Sequence, residues 1–279
     1  KRTGRARCKV CPETGTNRAL LVVGIVTVIF GAAGIIALTI ETGAGVVTVS
    51  EATKKILLNY LQVVSLAALF PMQWPQEVEN FFAVQSAISS ASQALLSPDC
   101  ELSWMAPAEA FYRKQIGFAL LPIGIVLSCN AVWRTARALR CGCGMPESRL
   151  CSRRRRTAPV APAGFYQDRA VLSWVLLLYL AYPTMVKQAF AAIACERVGD
   201  GYWLAADLQE RCGVGRHLSY MLVVCLPQIL LYVLGLPLAA TLLLYRKRRR
   251  LLDERTQFRW GLLYAGYRVD VFWWELTIV

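Results

Sequence analysis

The chain has 279 residues, of which 56% are hydrophobic and 18% charged, and its 31 Lys and Arg outnumber its 18 Asp and Glu to give a net charge of +13. The high hydrophobic fraction excludes a disordered chain, and the charged fraction lies below the roughly 25% that soluble domains usually have. Such a net charge would suggest a nucleic-acid partner in a soluble protein, but here the basic residues fall in blocks between apolar runs. The composition therefore predicts a protein that crosses a membrane several times, without nucleic acid as a partner.

Residues 1–18 are basic and contain Cys8 and Cys11, with no apolar core of the kind that a signal peptide needs. The two cysteines favour the end of a cysteine-rich ectodomain, outside the cell. The six Lys and Arg of this segment favour the cytosol by the positive-inside rule, so the side on which it lies stays open. Because the chain begins without Met and closes at residues 275–279 on an apolar run, we expect an excerpt from a longer protein.

The transmembrane domain is predicted over residues 19–279, since a bilayer core needs about 20 apolar residues of helix. Apolar runs with charged borders predict helices over about 19–40, 56–70, 115–133, 170–190 and 218–245, and the start of a sixth at 271–279. The run at 56–70 is short and could instead lie in the interface, although spanning is favoured. Backbone polar groups must be paired within each segment in lipid. The predicted fold class is therefore all-α, a polytopic transmembrane helix bundle of five helices plus the start of a sixth.

Two local features of these helices predict how they bend and pack. Pro227, Gly235 and Pro237 lie inside the run 218–245 and are expected to kink that helix without ending it. The small residues at 31–34 are expected to allow close contact between helices.

The distribution of charge between the helices predicts their orientation. The segments 134–169 and 246–270 hold nine and eight Lys and Arg against two and three acids, whereas 72–114 and 191–217 hold two and three against five and four. Basic loops stay in the cytosol. We therefore expect cytosolic basic loops at 134–169 and 246–270 and outside loops at 72–114 and 191–217.

The cysteines fall into groups that suggest different roles. Cys195 and Cys212 lie in one outside loop, where oxidation is allowed, and predict a disulfide. Cys141, Cys143 and Cys151 lie in a cytosolic loop, where reduced thiols and palmitoylation are the favoured interpretations. A zinc site is least favoured, because it would need a fourth ligand and the loop has no histidine. The cysteines at 129 and 225 lie inside helices and are expected to be small packing residues.

Polybasic runs next to helices predict attraction to the bilayer and to anionic inner-leaflet lipids, at about 1 kcal/mol per basic residue. The candidate head-group-binding residues are Arg153, Arg154, Arg155, Arg156, Arg246, Lys247, Arg248, Arg249 and Arg250. The alternative is that these runs only fix the orientation of the helices.

Four amides interrupt the apolar runs, namely Asn59, Gln62, Asn130 and Gln228. An amide in hydrocarbon must find a partner, so hydrogen bonding between helices is expected, with the lining of a hydrated path as the alternative. The sequence shows no phosphate loop, nucleophile elbow or paired carboxylates, and His217 is its only histidine, expected at the interface where a helix starts. We therefore predict no enzyme activity, no metal and no cofactor.

Three segments resemble a known family. They are Lys55–Ser65 followed by Trp74–Pro75 and Asp99–Cys100, then Cys195 with Gly201–Asp207 and Cys212, and finally Phe258–Arg268 with Trp273–Glu275. This pattern resembles the C-terminal multi-pass membrane domain of large protist surface proteins. Those proteins have EGF-like or repeat ectodomains, and the domain is related to transient receptor potential and polycystin-like channels.

The resemblance covers roughly residues 54–279 and implies that 56–70 spans, that Cys8 and Cys11 end an ectodomain, and that more helices follow. It implies the membrane domain of a channel-like or sensory cell-surface protein, in the plasma or ciliary membrane. The alternative is a non-conducting anchor for an extracellular repeat or filament assembly. Either function leaves room for an oligomer or an extracellular partner.

Overall fold

The computed structural model describes residues 14–42, 107–141, 164–205 and 207–264, together with a few single positions between 56 and 78. Its helices are α1 (Thr14–Thr42), α2 (Pro107–Cys141), α3 (Phe165–Ala191), α4 (Gly215–Arg250) and α5 (Glu254–Trp260), and its strands are β1 (Cys195–Val198), β2 (Gly201–Leu204) and β3 (Asp207–Arg211). The described part is mostly helical, with one small sheet. The all-α fold class is therefore confirmed, with four helices long and apolar enough to cross a bilayer.

The four long helices contain the four strongest predicted spans and extend past each of them. Helix α2 continues to Cys141, past the predicted end of the helix at residue 133. The reason is that the run from Arg134 to Arg140 is rich in Ala, Leu and Arg, which favour helix even where the helix leaves an apolar environment. The predicted helices at 56–70 and 271–279 lie outside the described residues, as do Asn59 and Gln62.

The segment 246–270, predicted as a cytosolic basic loop, is helical in most of its described part. Helix α4 ends in a tight 3-10 turn over Arg248–Arg250. After a short turn, α5 and a further 3-10 turn over Gly261–Leu263 fold back against α3. The seven-residue α5 is too short to be stable alone, so its packing rather than its propensity explains why it forms.

Helix α4 passes through its internal prolines and glycine by widening its turns. Two π-helical stretches, Met221–Cys225 and Ile229–Leu234, flank the short segment that contains Pro227. A proline removes one helical hydrogen bond and clashes with the preceding turn, and wider turns relieve that clash. At Gly235, a Cβ would lie 3.0 Å from the carbonyl oxygen of Leu230, so a side chain there would press tightly against the backbone. As expected, these residues do not end the helix.

Helix α1 is apolar on nearly all sides. Only 6% of its most apolar window is buried, and Phe30 is 74% exposed. Within the described ranges, no atom that could oppose a side chain lies within 4 Å of a Cβ built at Gly31 or Gly34. The expectation that these small residues mediate close helix contacts therefore finds no support there.

Helix α3 packs between α4 and the segment that follows it. Its most apolar window is 44% buried, against 11% in α2 and α4. The main cluster joins Val175 and Tyr179 of α3 to Leu244 of α4 and to Trp260 of α5, with Leu251, Leu263 and Tyr264 completing it. Trp174 and Trp260 meet edge to face with their ring centres 5.7 Å apart, a favoured aromatic geometry.

The segment between α3 and α4 is a three-stranded antiparallel sheet in the order β1-β2-β3, where a loop was expected. Cys195 pairs with Leu204 in the first ladder, and Gly199 makes the turn at a φ of +63° that glycine tolerates. The strands have four, four and five residues. Their exposed charges hide the alternation of polar and apolar residues that predicts strands.

Candidate functional site

A cavity of about 680 Å³ lies where α4 ends and α5 begins. Its lining, which we call the basic cup, consists of Tyr245, Arg246, Lys247, Arg248, Arg249, Arg250, Asp253, Arg255, Thr256 and Arg259. Seven of these ten residues are cationic and one is acidic. The structure therefore gathers the predicted head-group residues at 246–250 around one cavity and adds two arginines from α5. The predicted run at 153–156 lies outside the described residues.

An acidic residue of α3 fixes the two arginines of α5. The carboxylate of Asp168, in the first turn of α3, accepts a hydrogen bond from Nε of Arg255 at 3.0 Å and forms an ion pair with Arg259. Asp168 and Arg259 are largely shielded, whereas Arg255 is more than half exposed. This acid was not predicted as a functional residue, because its partners are 87 and 91 residues away in the sequence.

The turn that forms the floor of the basic cup is held by a tyrosine. The hydroxyl of Tyr264 donates a hydrogen bond to the carbonyl oxygen of Leu251 at 2.6 Å, and both residues are buried. Burial and, to a smaller degree, the charge of Asp253 raise the pKa of Tyr264 to about 12. The hydroxyl therefore stays protonated and remains a donor at physiological pH.

An apolar groove of about 170 Å³ lies between α3, α4 and α5. Its lining consists of Trp174, Val175, Leu178, Tyr179, Tyr182, Leu236, Pro237, Ala239, Ala240, Leu243, Trp260 and Leu263. Trp260 is 8% exposed, and its indole Nε1 has no hydrogen-bond partner among the described residues. A buried N–H of this kind is costly when unpaired.

Polar side chains bond α2, α3 and α4 to one another through backbone carbonyls, and we call this set the polar seam. The amide of Gln115 donates to the carbonyl of Gln188, and that of Gln228 donates to the carbonyl of Gln115, each at 3.1 Å. The hydroxyls of Tyr232 and Tyr182 donate to carbonyls of α2 and α4 at 2.8 Å. Because helical carbonyls have a second lone pair, these bonds cost the helices nothing.

The predicted intramembrane amides have different outcomes. Gln228 makes the bond between helices that was expected. The amide of Asn130 instead donates to the carbonyl of Val126 in its own helix at 2.7 Å, so the expectation of a bond between helices is wrong for this residue. Gln115 was taken only as the border of a helix and was missed, because a glutamine beside charged residues resembles a helix end.

The disulfide between Cys195 and Cys212 is present, as predicted, and closes the sheet with its Cα atoms 6.1 Å apart. Next to it, His217 lies at the start of α4, where a helix start was expected, and its side chain is only 1% exposed. Its Nδ1 accepts a hydrogen bond from the backbone N–H of Gly213 at 3.0 Å, and Nε2 lies 3.1 Å from the carbonyl oxygen of Ala192. Since Nδ1 is an acceptor, Nε2 is the donor. The imidazole thus ties the end of α3 to the end of the sheet.

The remaining cysteines with described side chains, Cys129 and Cys225, are buried free thiols, as expected of packing residues. The Cys225 thiol donates to the carbonyl oxygen of Ala189 at 3.2 Å. Among the described residues, no three His, Cys, Asp or Glu side chains form a group that could hold a metal.

No family model and no solved structure matches the chain. The chain is similar to the cysteine repeat modular protein A of Toxoplasma gondii, with 23% identity over 125 residues. The matched region is 42% of this chain and 4% of that protein. This similarity is to a large protist protein with cysteine repeats, and it gives no support to a relationship with transient receptor potential or polycystin-like channels.

Proposed function

We propose that this chain is the membrane domain of a large cysteine-rich modular surface protein and that it anchors an extracellular region to the cell. The observation that supports the proposal most is that the two ends of the α3–α4 helix pair differ in their chemistry. Their disulfide-closed sheet joins them at one end, and the basic cup lies at the other. Disulfides belong to the oxidising side of a membrane and arginine clusters to the cytosolic side.

The exposed surface of the long helices supports insertion in lipid. Leu127 of α2 and Val223, Leu231 and Leu234 of α4 are each more than half exposed. A soluble protein rarely exposes contiguous apolar surface of this extent. We place the domain in the plasma membrane with the sheet outside, and we assign it no catalytic role.

The orientation is tested by labelling single introduced cysteines in intact cells with a reagent that does not cross membranes. Tyr202→Cys lies on the sheet and Leu252→Cys beside the basic cup, and both parent side chains are well exposed. We expect the first to react in intact cells and the second only after permeabilisation. The unsubstituted chain provides the background labelling. Equal labelling of the two positions in intact cells contradicts the proposal.

A channel-like or sensory role is a second candidate, and one feature of the polar seam favours it. Within the described part of the chain, the amide oxygens of Gln115 and Gln228 are buried and have no hydrogen-bond partner. Unpaired acceptors inside an apolar bundle favour an occasional water or cation beside them.

The two roles are separated by recording currents from the complete protein, with any segments beyond residues 1 and 279 included, in a planar bilayer. A conducting protein should show a changed current in Gln228→Leu and an unchanged one in Asn130→Leu, which removes an amide outside the seam. Absence of current under voltage, tension and calcium, with folded protein, favours the anchor.

A further inference from the structure

The basic cup and the apolar groove are neighbouring parts of one surface. Helix α4 contributes residues 236–243 to the groove and 245–250 to the cup, and α5 contributes Arg259 to the cup and the adjacent Trp260 to the groove. The Nζ atom of Lys247 lies 5.8 Å from the centre of the Trp260 ring. The surface therefore changes from strongly cationic to apolar across a single tryptophan.

The basic cup suits a ligand with several phosphates. Arginines bind phosphate oxygens through paired N–H donors, and six of the seven cations that line the cup are arginines. Among the described residues of the lining, Asp253 is the only acid, and Asp168 orients two of the arginines. A volume of about 680 Å³ exceeds what one inorganic phosphate needs. The excess of positive charge favours a ligand with more than one negative group.

The groove suits the other half of an amphipathic molecule. Its lining is aliphatic and aromatic, and Trp260 lies at the border with the cup. In a phospholipid, an ester carbonyl lies between the phosphate and the acyl chain. The head group and the acyl chain therefore follow each other along the lipid in the same order as the cup and the groove along the surface.

We propose that the cup and groove together form a specific site for one phospholipid whose head group bears several phosphates. The head group occupies the basic cup, and one acyl chain lies along the apolar groove. This site depends on insertion of the chain in a bilayer, but not on the anchoring role or on its orientation.

The test uses the full chain in nanodiscs of phosphatidylcholine that contain either phosphatidylinositol bisphosphate or phosphatidylserine at equal total charge, with lipid binding measured by native mass spectrometry. We expect the bisphosphate lipid to bind at least about tenfold more tightly than phosphatidylserine. Arg249→Gln with Arg250→Gln should lower that affinity by about tenfold or more. The matched control is Arg134→Gln with Arg137→Gln, which removes two exposed arginines from α2 outside the cup and should change it little.

A second variant distinguishes a lipid from a soluble phosphate compound. Ala240→Trp fills the apolar groove, so it should weaken binding of the bisphosphate lipid about fivefold and leave binding of soluble inositol trisphosphate unchanged. Equal binding of the two nanodisc lipids, or equal loss in both arginine pairs, overturns the proposal in favour of general surface attraction. Soluble inositol trisphosphate that binds as tightly as the lipid shows that the groove takes no part, and it also overturns the proposal.

Discussion

Tyr264 shows how one buried hydroxyl determines a local structure and its pH dependence. Its hydrogen bond to Leu251 fixes the turn between α4 and α5, and its pKa is raised to about 12 by burial. The folded state therefore keeps the phenol proton that the unfolded chain loses near pH 10. The sequence shows a tyrosine at position 264, but only the fold shows that its hydroxyl bonds to the carbonyl of Leu251.

We expect the detergent-solubilised chain to lose stability as pH rises above about 10, because unfolding then releases the Tyr264 proton. Tyr264→Phe should unfold more easily by about 1 kcal/mol at neutral pH, the value of one hydrogen bond, and should lose less further stability between pH 10 and 12. Thermal unfolding followed by tryptophan fluorescence at several pH values checks this. An identical alkaline loss in both proteins would contradict it.

Gln228 and Asn130 have the same kind of amide group but form different kinds of hydrogen bond. Sequence predicts that both need partners, and the fold decides that Gln228 bonds α4 to α2 while Asn130 bonds its own helix. The difference depends on which face of each helix meets a neighbour, which the nearly uniform apolar surroundings do not reveal.

We expect Gln228→Leu to destabilise the packing of α2 on α4 by about 0.5–1 kcal/mol, as measured for polar contacts between membrane helices. Asn130→Leu should have a smaller effect, because no bond between helices is lost. Unfolding of the two variants in mixed micelles by a denaturing detergent gives the comparison. If Asn130→Leu destabilises the protein as much as Gln228→Leu does, the polar seam contributes no more to stability than a hydrogen bond within one helix.

At the scale of elements, the small sheet depends on its disulfide. Cys195 and Cys212 are 17 residues apart, and closing a loop of that length stabilises by roughly 3 kcal/mol in the chain-entropy estimate. The pairing was predictable from two cysteines in one outside loop. The strands were not predictable, because segments this short with exposed charges show no alternation that distinguishes them from an irregular loop.

Cys195→Ser should release a thiol at Cys212 and loosen the sheet, with protease sensitivity rising between residues 195 and 212. The check is thiol labelling of the folded protein followed by peptide mass spectrometry. The double variant Cys195→Ser, Cys212→Ser should lose the new label and keep the protease sensitivity. No additional labelled thiol in the single variant would count against the disulfide.

For the whole molecule, exposed apolar surface determines the solvent it needs. Helices α2 and α4 bury only 11% of their most apolar stretches. The apolar surface that remains exposed would drive aggregation in water. We expect the chain to remain with membranes in alkaline carbonate and to be released by mild detergent. A compact monomer in buffer without detergent would contradict the membrane assignment.

The sequence by itself determined that the chain is helical, that its spans are apolar and that its basic residues lie together, because composition and run length reflect the solvent directly. Only the tertiary structure decided that Arg255 and Arg259 join the run at 246–250, that Asp168 orients them, and that His217 is buried. These contacts join residues far apart in the chain, and neither periodicity nor charge counts specify such pairs. They depend on how antiparallel helices and one short returning helix fit together.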